Sequence, residues 1–213
     1  MKKQAVIFDM DGVIIDSEPL WQQAQIRVLA AYKTTINAQD CIHNTMGKRI
    51  DALAQTWIDL YSLPVENMAL QTLILDELMT LVAEHGGAMP GLYDLLDHLI
   101  ANGIRIALAT SSNHRLIDAV MAKLNIADYF EVICSAEDEV YGKPHPAVYL
   151  SAISKLGLTP SDCYVIEDSL TGLIAAKAAT VQTFLVSHEF TLDKFAFADF
   201  RTASLSEVIC HIQ

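Results

Sequence analysis

Positive charge is scarce in this chain: 14 lysine and arginine residues stand against 26 acidic ones in 213, a net charge of −12. A chain this acidic repels nucleic-acid phosphates unless basic residues cluster. The longest basic runs are only Lys2-Lys3 and Lys48-Arg49, so nucleic acid is not expected as a partner. Long apolar runs are missing too. None reaches the roughly 18 residues that cross a bilayer, and a membrane is not an expected partner either. The run after Met1-Lys2-Lys3 is about five residues, short of the apolar region of a secretory signal, which makes a cytoplasmic protein the expectation. Cysteine is sparse: Cys41, Cys134, Cys163 and Cys210 are scattered with no CxxC spacing. They read as buried thiols rather than as disulfides or a zinc site. There is no internal repeat and no low-complexity tract. What is abundant is apolar residues, 52% of the chain, so a substantial core can form, and 213 residues suffice for one large domain or for one domain with a smaller insert.

The stretch Val6-Ile7-Phe8-Asp9-Met10-Asp11-Gly12 organises the rest. Ala5 to Phe8 has the length and composition of a buried strand, and it ends abruptly in Asp9, Asp11 and Gly12. Carboxylates just past an apolar strand lie at the carboxyl end of a sheet, where open α/β sheets place their ligands. Two like charges this close are costly to bury unless something cationic sits between them. The pair therefore asks for a metal ion. A surface Asp-Gly turn is the alternative.

After Asp16 the pattern becomes helical. Ser17 is an N-cap type, Pro19 suits a first turn, and Trp21, Ala24, Val28 and Ala31 recur at helical spacing. Residues 17–86 contain no convincing strand and read as several helices. One covers about 48–61, with Leu53, Trp57, Leu60 and Tyr61 as its stripe. Another covers about 65–84, with Leu70, Ile74, Leu78 and Leu81. Gly86-Gly87 and Pro90-Gly91 punctuate the end of this block. The expected organisation is a helical insert over 17–86, with 1–16 and 87–213 forming the core domain. From residue 88 strands and helices alternate. Leu92, Leu95, Leu96, Leu99 and Ile100 mark a helix, Ile104–Ala109 a strand, and Leu116, Ile117, Val120, Met121 and Leu124 the next helix. Strands at Glu131–Cys134 and Cys163–Ile166 enclose a helix at 146–156. Leu170–Ala179 is a helix and Val181–Val186 the expected last strand, with Leu205–Ile212 as a short closing helix. Such alternation argues an α/β fold with a doubly wound parallel sheet.

Three strands end in polar clusters: Asp9-x-Asp11, Thr110-Ser111 and Glu167-Asp168. The loop after the strand near residue 133 adds Gly142-Lys143-Pro144-His145-Pro146. In a parallel sheet all strand ends point to one edge, so these clusters can meet in one crevice. Phosphoryl transfer suits the residue types. It needs an in-line nucleophile, cations against the negative charge, and donors for the phosphoryl oxygens. A carboxylate attacking a phosphate meets a repulsion of roughly 4 kcal/mol at 4 Å and an effective dielectric of 20. A magnesium ion and a lysine could offset it. Asp9, Asp168 and a backbone carbonyl are hard oxygen ligands of the kind magnesium takes, and Thr110 with backbone N–H groups at a helix start suits an anion.

In these four motifs the chain resembles the haloacid dehalogenase superfamily, in its phosphatase branch: Asp9-Met10-Asp11-Gly12-Val13, Ala109-Thr110-Ser111, Lys143-Pro144 and Glu167-Asp168, in order. The resemblance implies a Rossmann-like core with a small inserted α-helical cap that follows the first motif. It also implies roles. Asp9 would be the nucleophile, forming an aspartyl-phosphate. Asp11 would protonate the leaving alkoxide and then activate water, its backbone carbonyl binding Mg2+. Thr110 and the Ser111 backbone would hold the phosphoryl group, and Lys143 would neutralise charge. Asp168 would ligate Mg2+, with Glu167 supporting the metal shell. Asp11 also separates phosphate chemistry from carbon–halogen cleavage, since the dehalogenases lack a carboxylic acid there. Asp-Ser-Glu-Pro-Leu-Trp at 16–21 and Met46-Gly47-Lys48-Arg49-Ile50-Asp51 are similar to bacterial phosphatases of 2-deoxyglucose-6-phosphate and hexitol phosphates.

The expectation is thus a magnesium-dependent phosphatase for small sugar or sugar-alcohol phosphates, and a monomer, since no feature demands a dimer. A β-phosphoglucomutase-like phosphomutase is the alternative. Such mutases usually carry a histidine where Trp21 stands and a cap arginine one residue further from the glycine than Arg49. A non-catalytic phosphate-binding module is the third reading, because fold does not fix function. Arg49 is a candidate substrate contact and Asn113 a candidate phosphate contact, surface charge and loop structure being the plain readings. A solvated loop is the ordinary fate of a lysine and helix capping that of an aspartate, but their settings favour function for Lys143 and Asp168. Thr110 could be a helix N-cap as well. Trp57 is expected in the core, Trp21 in a pocket wall, and His114 and His145 in loops.

Overall fold

The computed structural model describes residues 3–212. Its strands are β1 (Ala5–Phe8), β2 (Arg105–Thr110), β3 (Val132–Ser135), β4 (Cys163–Glu167), β5 (Gln182–Val186) and β6 (Phe200–Thr202). They form one sheet in the order β3-β2-β1-β4-β5-β6, with every neighbouring pair parallel. The four residues of β1 are all 0% exposed, as suits a central parallel strand covered on both faces. Its side chains alternate between those faces. Val6 and Phe8 join the larger apolar cluster, Ala5 and Ile7 the smaller one behind the sheet.

Nine α-helices are found among the described residues. Four of them, α1 (Glu18–Ala31), α2 (Ala38–Asn44), α3 (Ile50–Tyr61) and α4 (Asn67–His85), lie between β1 and α5 (Leu92–Ala101), the helix that leads into β2. The chain enters and leaves this helical stretch side by side: Asp16 N–H donates to the Gly87 carbonyl at 3.1 Å and Met89 N–H to that of Ile14 at 2.9 Å. The other helices are α6 (His114–Leu124), α7 (Ala147–Leu156), α8 (Leu170–Ala178) and α9 (Leu205–Ile209). Helices α7 and α8 cover the Ala5/Ile7 face. Helices α5, α6 and α9 cover the other, and α1, α3 and α4 share its apolar cluster. Helix α4 also leans on α6, where Arg115 Nη2 meets Asp76 Oδ1 at 2.8 Å and Lys123 Nζ donates to the Ala83 carbonyl at 2.6 Å.

Several sequence expectations are corrected. Val181–Val186 is not the last strand, because β6 follows it at the sheet edge. Three residues are too short a run to stand out by pattern, and Phe200 earns its place by stacking on Phe184 at 4.5 Å between ring centroids. Leu60, Tyr61 and Ile100, read as inward, are exposed; in α5 the apolar stripe ends at Leu99, which is 0% exposed, and Ile100 falls on its outer edge. Cys210 is exposed, while Cys41, Cys134 and Cys163 are buried and free. Ser17 occupies the N-cap position of α1 without a capping bond, for a reason given below. Among the described residues no helix is long and apolar enough to cross a membrane.

Candidate active site

The chain builds β1, β2 and β3 outward on one side, then crosses to β4, β5 and β6 on the other. Such a switch leaves a crevice beyond the carboxyl ends of the strands at the crossing. Asp9 is the first residue past β1, and its N–H extends the ladder to the Ile166 carbonyl at 3.0 Å. Glu167 ends β4 beside it. Between them lies Lys143, whose side chain is only 4% exposed. Its Nζ donates to Asp9 Oδ1 at 2.8 Å, to Glu167 Oε1 at 2.7 Å and to the Ala109 carbonyl at 3.1 Å. The same ammonium stands 4.7 Å from the centre of the Tyr149 ring.

Glu167 is fully buried and fully occupied. Its Oε1 accepts from Lys143 and from the Tyr149 hydroxyl, its Oε2 from Ser169 Oγ at 3.1 Å and from Asp168 N–H at 3.2 Å. Gly172 on α8 makes the room: a Cβ there would lie 1.7 Å from Glu167 Oε1. Gly172→Ala should therefore displace the buried carboxylate and cost about 1–3 kcal/mol, the range for overpacking. Chemical denaturation of the two proteins measures it.

Asp168 is placed differently. Among the described residues no donor bonds its carboxylate, which runs past Gly12 so closely that a Cβ on Gly12 would lie 2.1 Å from Oδ2. Gly12 also has φ of +74°, which disfavours any side chain. Asp9, Glu167 and Asp168 each bring one carboxylate oxygen within 4.8 Å of the others. Burial first, then the charge of Glu167, push the Asp9 carboxyl up from 3.8 to about 7 against the pull of Lys143. Burial and the neighbouring carboxylates push Asp168 well up as well. Burial alone would lower the Lys143 ammonium, but Asp9 and Glu167 outweigh it and hold it protonated. One cation thus serves three carboxylates. That excess of hard oxygen donors fits a divalent cation held by Asp9 and Asp168, while Glu167 has no lone pair to spare.

Asp9, Lys143 and Asp168, though not the fully buried Glu167, line a cavity of about 190 Å3, which also takes in Asp11, Thr110, Ser111, Asn113, Trp21 and Lys48. The Asp11 carboxylate meets three donors. Its Oδ1 accepts from the Ser17 hydroxyl and from Trp21 Nε1–H at 3.0 Å, its Oδ2 from Ser112 Oγ at 2.6 Å. This bond is why Ser17 does not cap α1. Thr110 is not the N-cap of α6; its Oγ1 accepts from Ser112 N–H at 3.1 Å, and Asn113 does the capping, its Oδ1 accepting from Leu116 N–H at 3.0 Å. Arg49 stands apart from the rest. It pairs with Asp51 at 2.7 Å, lines an outer groove with Tyr141 and Gly142, and is absent from the cavity lining that includes Lys48. Trp57 is buried, its Nε1–H donating to Gln25 Oε1 at 2.8 Å. His114 pairs with Asp138 at the surface and His145 packs on Tyr141.

The sequence expectation had no place for Tyr149, Ser112 or the bonds from Ser17 and Trp21. Ser17 and Trp21 carried a usable sign, being four apart at the start of one helix and so on one face. Tyr149, six residues past Lys143 in a small-residue helix, carried a fainter one.

A family profile described as haloacid dehalogenase-like hydrolase matches residues 3–180. The chain belongs to that family. It is 35% identical over 208 residues to hexitol phosphatase B of Escherichia coli K12, covering 96% of this chain and 93% of that one. It is 30% identical to a phosphorylated carbohydrates phosphatase of Thermotoga maritima, over 84% and 82% of the two chains. The crystal structure of CbbY from Rhodobacter sphaeroides with phosphate superposes with a TM-score of 0.89 at 24% identity, over 97% of this chain and 96% of that one, and has the same fold. The protein is a phosphoric monoester hydrolase acting on small phosphorylated metabolites.

Proposed function

We propose that this enzyme hydrolyses monophosphates of small sugars or sugar alcohols, with Mg2+, through a phosphorylated Asp9. The observation that carries the reading is Lys143 bonded to Asp9 in a cavity that Asp11 and Asp168 also face. The carboxylate of Asp9 attacks phosphorus as the bond to the leaving oxygen breaks. Asp11 gives that oxygen a proton, then takes one from the water that attacks the aspartyl-phosphate. Thr110 and the Ser111 N–H hold phosphoryl oxygens, and the Lys143 ammonium offsets their charge. Glu167 and Tyr149 keep Lys143 aimed at Asp9. Asp9, Asp168 and the Asp11 carbonyl would hold Mg2+, which when bound supplies positive charge against the phosphate dianion. The small cavity and the likeness to hexitol phosphatase B favour a compact polyol. Residues 17–86 serve in this reading as a cap that keeps bulk water from the first step.

A phosphate-release screen over hexitol, hexose and nucleotide monophosphates tests this. With Mg2+ the hexitol or hexose esters should exceed nucleotides by at least about tenfold in kcat/KM, and a chelator should stop release. Equal turnover of nucleotides, or an isomerised sugar phosphate as the main product, would overturn it.

A further inference from the structure

Trp21 is half-buried at the start of α1, yet it is bonded across the cavity to a residue of the β1 loop. An indole N–H can only donate, whereas a serine hydroxyl can donate or accept. The three donors on Asp11 are therefore not equivalent. Oδ1 is held as an acceptor by Trp21 whatever the protonation of the carboxyl group. Oδ2 faces the Ser112 hydroxyl at 2.6 Å, which can turn and accept. The backbone of Ser112 is fixed while it does so: its N–H donates to Thr110 Oγ1 at 3.1 Å and its carbonyl accepts from Ser135 Oγ at 2.7 Å. Ser112 is only 8% exposed, so water does not readily replace it.

We propose that Trp21 and Ser112 are positioning residues that fix which oxygen of Asp11 carries the transferable proton. Trp21 reserves Oδ1 as an acceptor, so the proton sits on Oδ2, on the side of the Thr110 loop. As the bond from Asp9 to phosphorus forms and the bond from phosphorus to the ester oxygen breaks, that oxygen takes the Oδ2 proton in place of Ser112 Oγ, and the Ser112 hydroxyl turns back to donate to Oδ2. Asp11 is left as a carboxylate that Ser17, Trp21 and Ser112 can all serve as donors. Losing the indole N–H frees the carboxyl to present either edge. The inference rests on the reading of Asp11 as the acid for the leaving group.

The test uses two substrates that differ in their need for a proton. An alkyl ester such as a hexitol phosphate has a poor leaving group, while p-nitrophenyl phosphate expels a stable phenolate without protonation. The kcat/KM for each reports phosphoryl transfer to Asp9, and their ratio cancels a loss of binding common to both. Trp21→Phe and Ser112→Ala should each lower the alkyl-to-aryl ratio by about tenfold or more, within the share general acids contribute. Trp21→His, which keeps a ring N–H, should restore much of it. A ratio within about twofold of the wild type in both variants, including an equal fall for both substrates, would overturn the proposal, since a merely structural role moves both alike. If Trp21→Phe does not fold, Ser112→Ala, which removes one hydroxyl, decides. A wild-type protein inert toward both esters with Mg2+ present would instead sink the phosphatase reading itself.

Discussion

Asp9→Asn should abolish phosphate release, lowering kcat by at least about a thousandfold, in the range seen when a nucleophile is removed. The amide oxygen can still accept from Lys143, so the fold should stand. The same variant has a second readout in metal-free protein. The Asp9 carboxyl sits at about 7 in the folded chain, against an ordinary 3.8. A raised acid binds its proton more tightly when folded, so the unfolded chain gives up protons first as pH rises. Stability from this group is thus present below about pH 4 and is lost as pH climbs toward 7. The asparagine has no proton to lose. In chelator, the melting temperature of Asp9→Asn minus that of wild type should grow between pH 4 and 7 and level off above. A difference that stays flat with pH, or turnover retained by the variant, would remove Asp9 from the role of buried nucleophile.

Lys143→Met should cost both activity and stability. The ammonium is 4% exposed and touches Asp9 and Glu167, the latter 0% exposed. Removing one partner of a buried pair leaves uncompensated charge and costs roughly 3–5 kcal/mol. For a chain of this size that is a fall of about 10 °C in Tm. Adding Glu167→Gln should recover part of the loss, because an amide needs no counter-charge. Thermal melts of the three proteins at pH 8 in chelator decide it. A Tm within about 2 °C of wild type for the single variant would show that the carboxylates do not depend on the lysine.

Much of this site is legible in the order of residues because of where polar groups stop apolar runs. Phe8 to Asp9, Ala109 to Thr110 and Ile166 to Glu167 are abrupt changes at strand ends, and a parallel sheet places all such ends at one edge. The strands that carry them are buried on both faces, so composition alone marks them. Other parts depend on geometry that one-dimensional pattern does not hold. Which of Thr110, Ser111 and Ser112 meets Asp11 is set by the turn after β2. Tyr149 looks like any apolar helix residue until α7 packs behind β2 and β3 and its hydroxyl meets Glu167. Glu167 reads as a metal-site acid beside Asp168, yet five protein donors occupy it. Arg49 and Lys48 both line the outer groove, but only Lys48 also lines the cavity, because Asp51 lies within reach of the Arg49 guanidinium and holds it.

The contact between α4 and α6 bears on how such proteins can be recombined. Arg115 and Lys123 of α6 are fitted to Asp76 and the Ala83 carbonyl of α4. A chimera that imports residues 17–86 from another phosphatase would set a foreign helix on these two side chains. The seat for the transplanted segment is written outside the segment, so such a graft has to carry the outer face of α6 with it.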